Sequence, residues 1–140
     1  MQTYIGTKIV QAEPLEQNGK PGFRVVYEDG YTSWSPADVF NRAYRPVNTG
    51  EMSFGLAIEA MRTGKKVARR GWNGKDMWLI YVKGQYVEST TSGTPYHIAG
   101  LSEVQINPHI DMMTAQGSMQ PGWLASQTDM LSDDWFIVTE

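Results

Sequence analysis

Apolar residues recur along this chain at two periods, and the switches between them mark out its elements. Between Met52 and Gly64, the residues Phe54, Ala57, Ile58 and Met61 fall at i, i+3, i+4 and i+7. That spacing is one face of a helix, with Ser53 as its N-cap and Gly64 closing its C-terminus. Lys66–Arg70 then reads as a strand, Gly71-Trp72-Asn73-Gly74 as a turn, and Met77–Val82, a run of bulky residues, as the return strand of a hairpin. Pro108–Thr114 and Trp135–Thr139 are two further strands, residues 115–122 a turn region, and Ser126–Leu131 a short helix. Residues 83–108 are rich in Gly, Ser, Thr and Pro and show no period, so a long excursion holding one strand is expected there.

The first third of the chain has its own pattern. Thr7–Ala12 and Phe23–Glu28 alternate as strands, Asp29-Gly30 is a strong hairpin turn signal, and Tyr31–Trp34 is the return strand. A short helix follows from Ser35, as N-cap, and Pro36, at its first position, through Tyr44, with Val39, Phe40 and Ala43 as its apolar side. Arg45-Pro46 stops that helix, and the polar Asn48-Thr49-Gly50 makes a flexible linker over 46–51. The expected organisation is therefore a small β-rich module with one helix over residues 1–48. It is followed by an α+β domain over 51–140, a small antiparallel sheet with two short helices.

Composition narrows the function. At 140 residues the chain can bury one core plus a small satellite, and a net charge of −3 is unlike that of a duplex nucleic-acid binder. No apolar run reaches a membrane span, and residues 1–10 lack a signal-type apolar stretch, so the expected location is the cytoplasm. The absence of cysteine excludes disulfides, thiolate nucleophiles and cysteine-ligated metals. His97 and His109 are scattered, and although Asp111 lies two residues after His109, the spacing specifies no metal site. No cofactor is expected. Five Trp, seven Tyr and four Phe exceed what core filling requires and point to stacking recognition, oligomerisation or both.

The chemistry-bearing residues cluster around two segments. Trp72 stands on a glycine-flanked turn beside Asn73, a placement that suits a ring exposed for stacking, worth roughly 1–3 kcal/mol per base. Lys65, Lys66, Arg69, Arg70 and Lys75 form the basic cluster, and strand alternation sends Arg69 and Arg70 to opposite faces. Arg69 is the candidate for a bidentate phosphate contact. Ser126-Gln127-Thr128-Asp129 fits a capping box, which is either a well-made helix start or a group of amides for polar sugar and phosphate atoms. With Asp129 answering those amides, ribose hydroxyls are its better partner. Trp78 and Trp135 sit in strands and are expected in the core, whereas Trp123, after Pro121-Gly122, fits either role.

Taken together, Met52-Ser53-Phe54-Gly55, Gly64-Lys65-Lys66-Val67-Ala68-Arg69, Gly71-Trp72-Asn73-Gly74-Lys75 and Met77-Trp78-Leu79 resemble the second family of phage anti-Thoeris proteins. The similarity runs on through Pro108, Ile110, Met112, Thr114-Ala115, Gly117, Trp123, Ser126-Gln127, Asp129, Leu131 and Asp134-Trp135, and covers residues 51–140. The resemblance implies a non-enzymatic homotetramer, phage- or prophage-encoded, that sequesters cyclic ADP-ribose isomers made by bacterial TIR-domain proteins. Some members of that family also bind the cyclic oligonucleotides of CBASS immunity. By residue match, Trp72 and Asn73 face the ligand, and Arg69, Trp123, Ser126, Gln127 and Asp129 complete a pocket near a subunit interface. His109 stands where the family often has Tyr. Residues 1–48 lie outside that core and resemble a small module common in phage-encoded proteins.

Two other readings compete. An enzyme cleaving the same signals would use Asp129 or Asp134 as acid or base, although helix-start acids explain these carboxylates more cheaply. A phage structural or adaptor protein would use its aromatic residues for assembly alone.

Overall fold

The computed structural model describes residues 1–139 and divides the chain into two compact units, Met1–Pro46 and the remainder from Val47. In the first unit, β1 (Gln11–Pro14), β2 (Gly22–Val26) and β3 (Thr32–Pro36) form an antiparallel sheet in that order, followed by α1 (Ala37–Ala43). The first strand lies later than the Thr7–Ala12 expected from alternation. Its register is set by Asn18-Gly19, whose φ angles of 54° and 77° make the two-residue turn that matches strand twist, with Gln17 and Lys20 exchanging both backbone bonds. Ser35 does not cap the helix. It pairs with Phe23 in β3, so the cap position falls to Pro36, which offers no side-chain acceptor. Val25 is buried, and the rings of Phe23, Phe40 and Tyr44 stack in series with centroids 4.3 and 4.9 Å apart.

The second unit begins with α2 (Phe54–Arg62). Ser53 Oγ accepts from the Leu56 amide, and the C-terminus closes with Gly64 N–H on Met61 O and Lys65 N–H on Ala60 O. Those paired bonds need a left-handed residue, and Gly64, at φ 90°, supplies it without a Cβ clash. The chain continues through β4 (Val67–Arg69), β5 (Trp78–Val82), β6 (Gln85–Val87), α3 (Pro95–Ile98), β7 (Val104–Ile106), β8 (His109–Met113), β9 (Met119–Gln120), α4 (Gln127–Leu131) and β10 (Trp135–Ile137). Five of the strands make an antiparallel sheet in the order β10-β4-β5-β8-β9.

The excursion over 83–108 holds more structure than composition suggested. It contains the β6–β7 hairpin and the single helical turn α3, a third helix in this unit. β9 forms within the region expected to be turn only.

Register explains the core. Leu79 pairs with both Val67 and Met112, and Val67 pairs with Ile137, so these side chains share one face. α2 lies on it and buries Ala57, Ala60 and Met61 against Val67, Leu79, Met112 and Trp135, with Met52 bridged to Trp135 at the sheet edge. Arg69 pairs with Trp135 and so points to this same covered face, whereas Ala68, Phe136, Trp78 and Met113 belong to the other. Trp78 consequently packs outside the core, half-buried under the Lys66 ammonium, 5.0 Å from the ring centroid.

Candidate functional site

The site grows from the link between β4 and β5. After Arg69 the backbone turns sharply, and Asp134, just before β10, reaches across to hold it. Its Oδ2 accepts from the Gly71 amide at 2.8 Å, and its carbonyl accepts from the Arg70 amide at 3.1 Å. Glycine at position 71 leaves this arrangement undisturbed, because a Cβ there would stand 2.8 Å from Asp134 Oδ2 and 3.1 Å from Arg69 Nη2 and would displace them. The turn that carries Trp72 and Asn73 is therefore fastened at its root by a carboxylate 63 residues further along the chain.

Arg69 is the centre of the polar cluster. Its Nη1 donates to Asp129 Oδ1 at 2.7 Å, its Nε to Asp134 Oδ1 at 2.9 Å and its Nη2 to Asp134 Oδ2 at 3.4 Å. The side chain is 9% exposed. The guanidinium expected at a phosphate is thus turned inward and spent on two carboxylates, an outcome set by the pairing of Arg69 with Trp135 on the covered face.

Asp129 gathers three elements. Besides Arg69, its Oδ1 accepts the Trp72 indole N–H at 3.1 Å, and its Oδ2 accepts the Ser126 amide at 3.1 Å, while Ser126 Oγ returns the bond to the Asp129 amide at 3.0 Å. The capping box is formed in full. Its carbonyl takes the indole N–H of the fully buried Trp135 at 2.9 Å. Burial alone would raise the Asp129 pKa, but donation from Trp72, Arg69 and Ser126 outweighs it and holds the carboxyl at about 2. Asp134 is lowered in the same way, with burial opposed by Arg69 and the Gly71 amide, and Arg69 is raised chiefly by its bonds to Asp134. Neither acid has the raised pKa that proton donation near neutrality requires.

Four rings pack beside these groups. Trp72 lies edge-on to Trp135 at 5.4 Å and to Trp123 at 6.2 Å, and Phe54 meets Trp135 at 5.1 Å and Trp123 at 6.4 Å. Trp72 is half-buried against the core rather than free on its turn, and its indole N–H is committed. Trp123 likewise joins the core margin, its amide bonded to Ile110 O. The structure thus brings Arg69, Trp72, Trp123, Ser126 and Asp129 into one cluster. Asn73 and Gln127 are exposed beside it, and no hydrogen bond holds either side chain among the described residues.

Asp134 was absent from the residues singled out by sequence as ligand contacts, because its work is to hold Arg69 and Gly71. Its place before Trp135 in the resemblance was the available signal.

Next to this cluster a cleft of about 470 Å³ opens, lined by Arg69, Trp72 and, from the other face of the sheet, Lys66, Arg70, Trp78 and Phe136. A second hollow of about 530 Å³ lies between Val82, Gln85, Tyr96 and His109. There His109 Nε2 stands 3.4 Å from Asp111 Oδ1, which also accepts the Gly122 amide, so the pair ties β8 to the loop before Trp123. His97 is bonded to Thr90 in the excursion, and among the described residues no group of three His, Cys, Asp or Glu side chains is placed to hold a metal.

Residues 52–138 match the family model of the Thoeris anti-defense 2-like domain, a span that contains every residue of this cluster. The chain belongs to the Thoeris anti-defense 2-like family. It is 36% identical over 89 residues to Thoeris anti-defense 2 of Bacillus phage SP01, a stretch covering 64% of this chain and 97% of that relative. The Thoeris anti-defense 2-like domain lies within the second structural unit, and the unit Met1–Pro46 falls outside the family match. No helix among the described residues is long and apolar enough to cross a membrane.

Proposed function

We propose that this chain inhibits Thoeris defence by holding, without turnover, a cyclic ADP-ribose isomer made by a TIR-domain protein, in the cytoplasm of the infected host. The observation that carries the reading is family membership over residues 52–138. The site supports capture over catalysis. Its two carboxylates are locked to Arg69 with lowered pKa values, Ser126 is engaged in its cap, and neither histidine is in the cluster.

In this reading the ligand lies against Trp72 and Trp123, with the free amides of Asn73 and Gln127 reaching its sugar or base edges. Arg69, Ser126 and Asp129 hold that surface in shape. Nanomolar capture corresponds to about −12 kcal/mol, more than one ring contact and one ion pair supply, so the pocket is completed by neighbouring subunits of a homotetramer. Leu124 and Leu131, 89% and 77% exposed on either side of the α4 cap, give that assembly an apolar surface beside the site.

The reading is tested by titrating the full chain with the purified cyclic product while following indole fluorescence, and then assaying the ligand chromatographically. Saturable fluorescence change with ligand intact supports capture. Progressive ligand loss would make the chain an enzyme, and no response would favour cyclic oligonucleotides or an assembly role.

A further inference from the structure

We propose that Arg70, rather than Arg69, anchors the phosphate of the ligand, in the cleft between Trp72 and Phe136. The inference rests on the capture reading above and names the cation that such a ligand meets.

Charge at the cluster argues first. Arg69 contributes one positive charge, and Asp129 and Asp134, both held ionised, contribute two negative ones, so the trio carries a net charge of −1. A phosphate approaching it meets repulsion, and three donor atoms of the guanidinium are already committed. The pyrophosphate therefore needs another cation on the same cleft.

Arg70 has the required properties. Strand alternation sends it away from the covered face, its side chain is exposed, and it lines the cleft that Trp72 also lines. Its guanidinium lies 3.9 Å from the centroid of the Phe136 ring, with one hydrogen bond, from Nη2 to Asn48 O at 3.3 Å. Among the described residues one of the guanidinium's five N–H donors is engaged, and the others are available to meet two phosphate oxygens in parallel. The stem is already positioned. Gly50, at φ 86°, lies so close that a Cβ there would come 2.5 Å from Arg70 Cγ, and the ring of Phe136 supports the head group. Ordering a free arginine on binding is costly in entropy, and this one is held in advance. Lys66, whose ammonium stands over Trp78, also lines this cleft, and Asp76 is the carboxylate on its lining among the described residues.

The test is calorimetric binding of the TIR-made cyclic ADP-ribose isomer to the full chain at low and high salt. The proteins are wild type, Arg70→Ala, Arg70→Lys and Lys65→Ala, with thermal unfolding recorded for each. Arg70→Ala is expected to weaken binding about 10- to 100-fold, the range for a lost charge-assisted contact, and to flatten the salt dependence. Arg70→Lys, which keeps the charge and loses the fork, should fall between, and Lys65→Ala, which removes an exposed charge elsewhere, should bind like wild type. Wild-type binding with Arg70→Ala within twofold of it would overturn the anchor alone. A wild type that takes up no ligand would remove the capture reading and the anchor with it.

Discussion

The indole N–H of Trp72 donates to Oδ1 of Asp129 at 3.1 Å, across 57 residues of chain. This bond joins the turn after β4 to the first turn of α4, and it makes Trp72 both a ring beside the cleft and a structural tie. A side chain with two attachments loses more than a contact when it is removed. Trp72→Ala should therefore cost roughly 2–4 kcal/mol of stability along with ligand capture, since it removes packing and leaves Asp129 short of a donor. Trp72→Phe separates the two effects, keeping a ring while losing the N–H. Urea unfolding should place Trp72→Phe between wild type and Trp72→Ala, and equal stability of all three would show that the ring is not packed as described.

Arg69→Ala leaves Asp129 and Asp134 facing each other without their shared cation. Breaking one partner of a buried ion pair typically costs about 3–5 kcal/mol, so the expected result is a large fall in thermal stability. Lost binding with unaltered stability would instead return Arg69 to the ligand.

Acid should act through the same carboxylate. Asp129 is held at about 2 against an unfolded value of 3.8, so its contribution, about 2 kcal/mol, is complete above about pH 5 and is lost as pH falls through 3.8 towards 2. Asp129→Asn cannot show that loss. The stability gap between wild type and Asp129→Asn, measured by urea unfolding at about pH 7, 5 and 2.5, should stay constant over the first interval and narrow over the second.

The backbone at position 71 admits a direct check. Gly71→Ala places a methyl 2.8 Å from Asp134 Oδ2, displacing the carboxylate from both Gly71 N–H and Arg69. A loss of about 1–3 kcal/mol is expected from the unsatisfied donors, together with weaker capture. Unchanged unfolding and binding would mean that Asp134 does not fasten the turn.

A chain beginning at Val47 keeps the whole core of the second unit and every residue of the cluster. It should fold and bind ligand with wild-type affinity by calorimetry. A folded truncation that cannot bind would place the first unit in the pocket.

What the sequence disclosed and what it withheld divide by range. Ser53 and Gly64 bracket α2 as expected, and Ser126 with Asp129 forms its capping box, because caps are decided within a few residues. The β4–β5 hairpin follows from two apolar runs flanking a glycine-rich turn. Asn18-Gly19 is an equally local signal, and the two-residue turn it makes fixes β1 at Gln11–Pro14 rather than Thr7–Ala12. Arg69 was legible as a site residue but not as an ion-paired one, since its partners stand 60 and 65 residues away and only the register with Trp135 reveals which face it takes. The same distance hid the tie on Trp72, which the glycines around it made look free, and the fall of Trp78 on the uncovered face of the sheet.

The central claim is capture without turnover, and the most direct measurement follows the fate of the ligand itself. The full chain would be incubated with the cyclic product of an activated TIR enzyme, separated by filtration, and heat-denatured, and the released small molecule identified by mass spectrometry. Intact cyclic ADP-ribose isomer recovered from the retained protein, in stoichiometric amount, is the predicted result. Linearised or hydrolysed product, or intact ligand wholly in the filtrate, would contradict it.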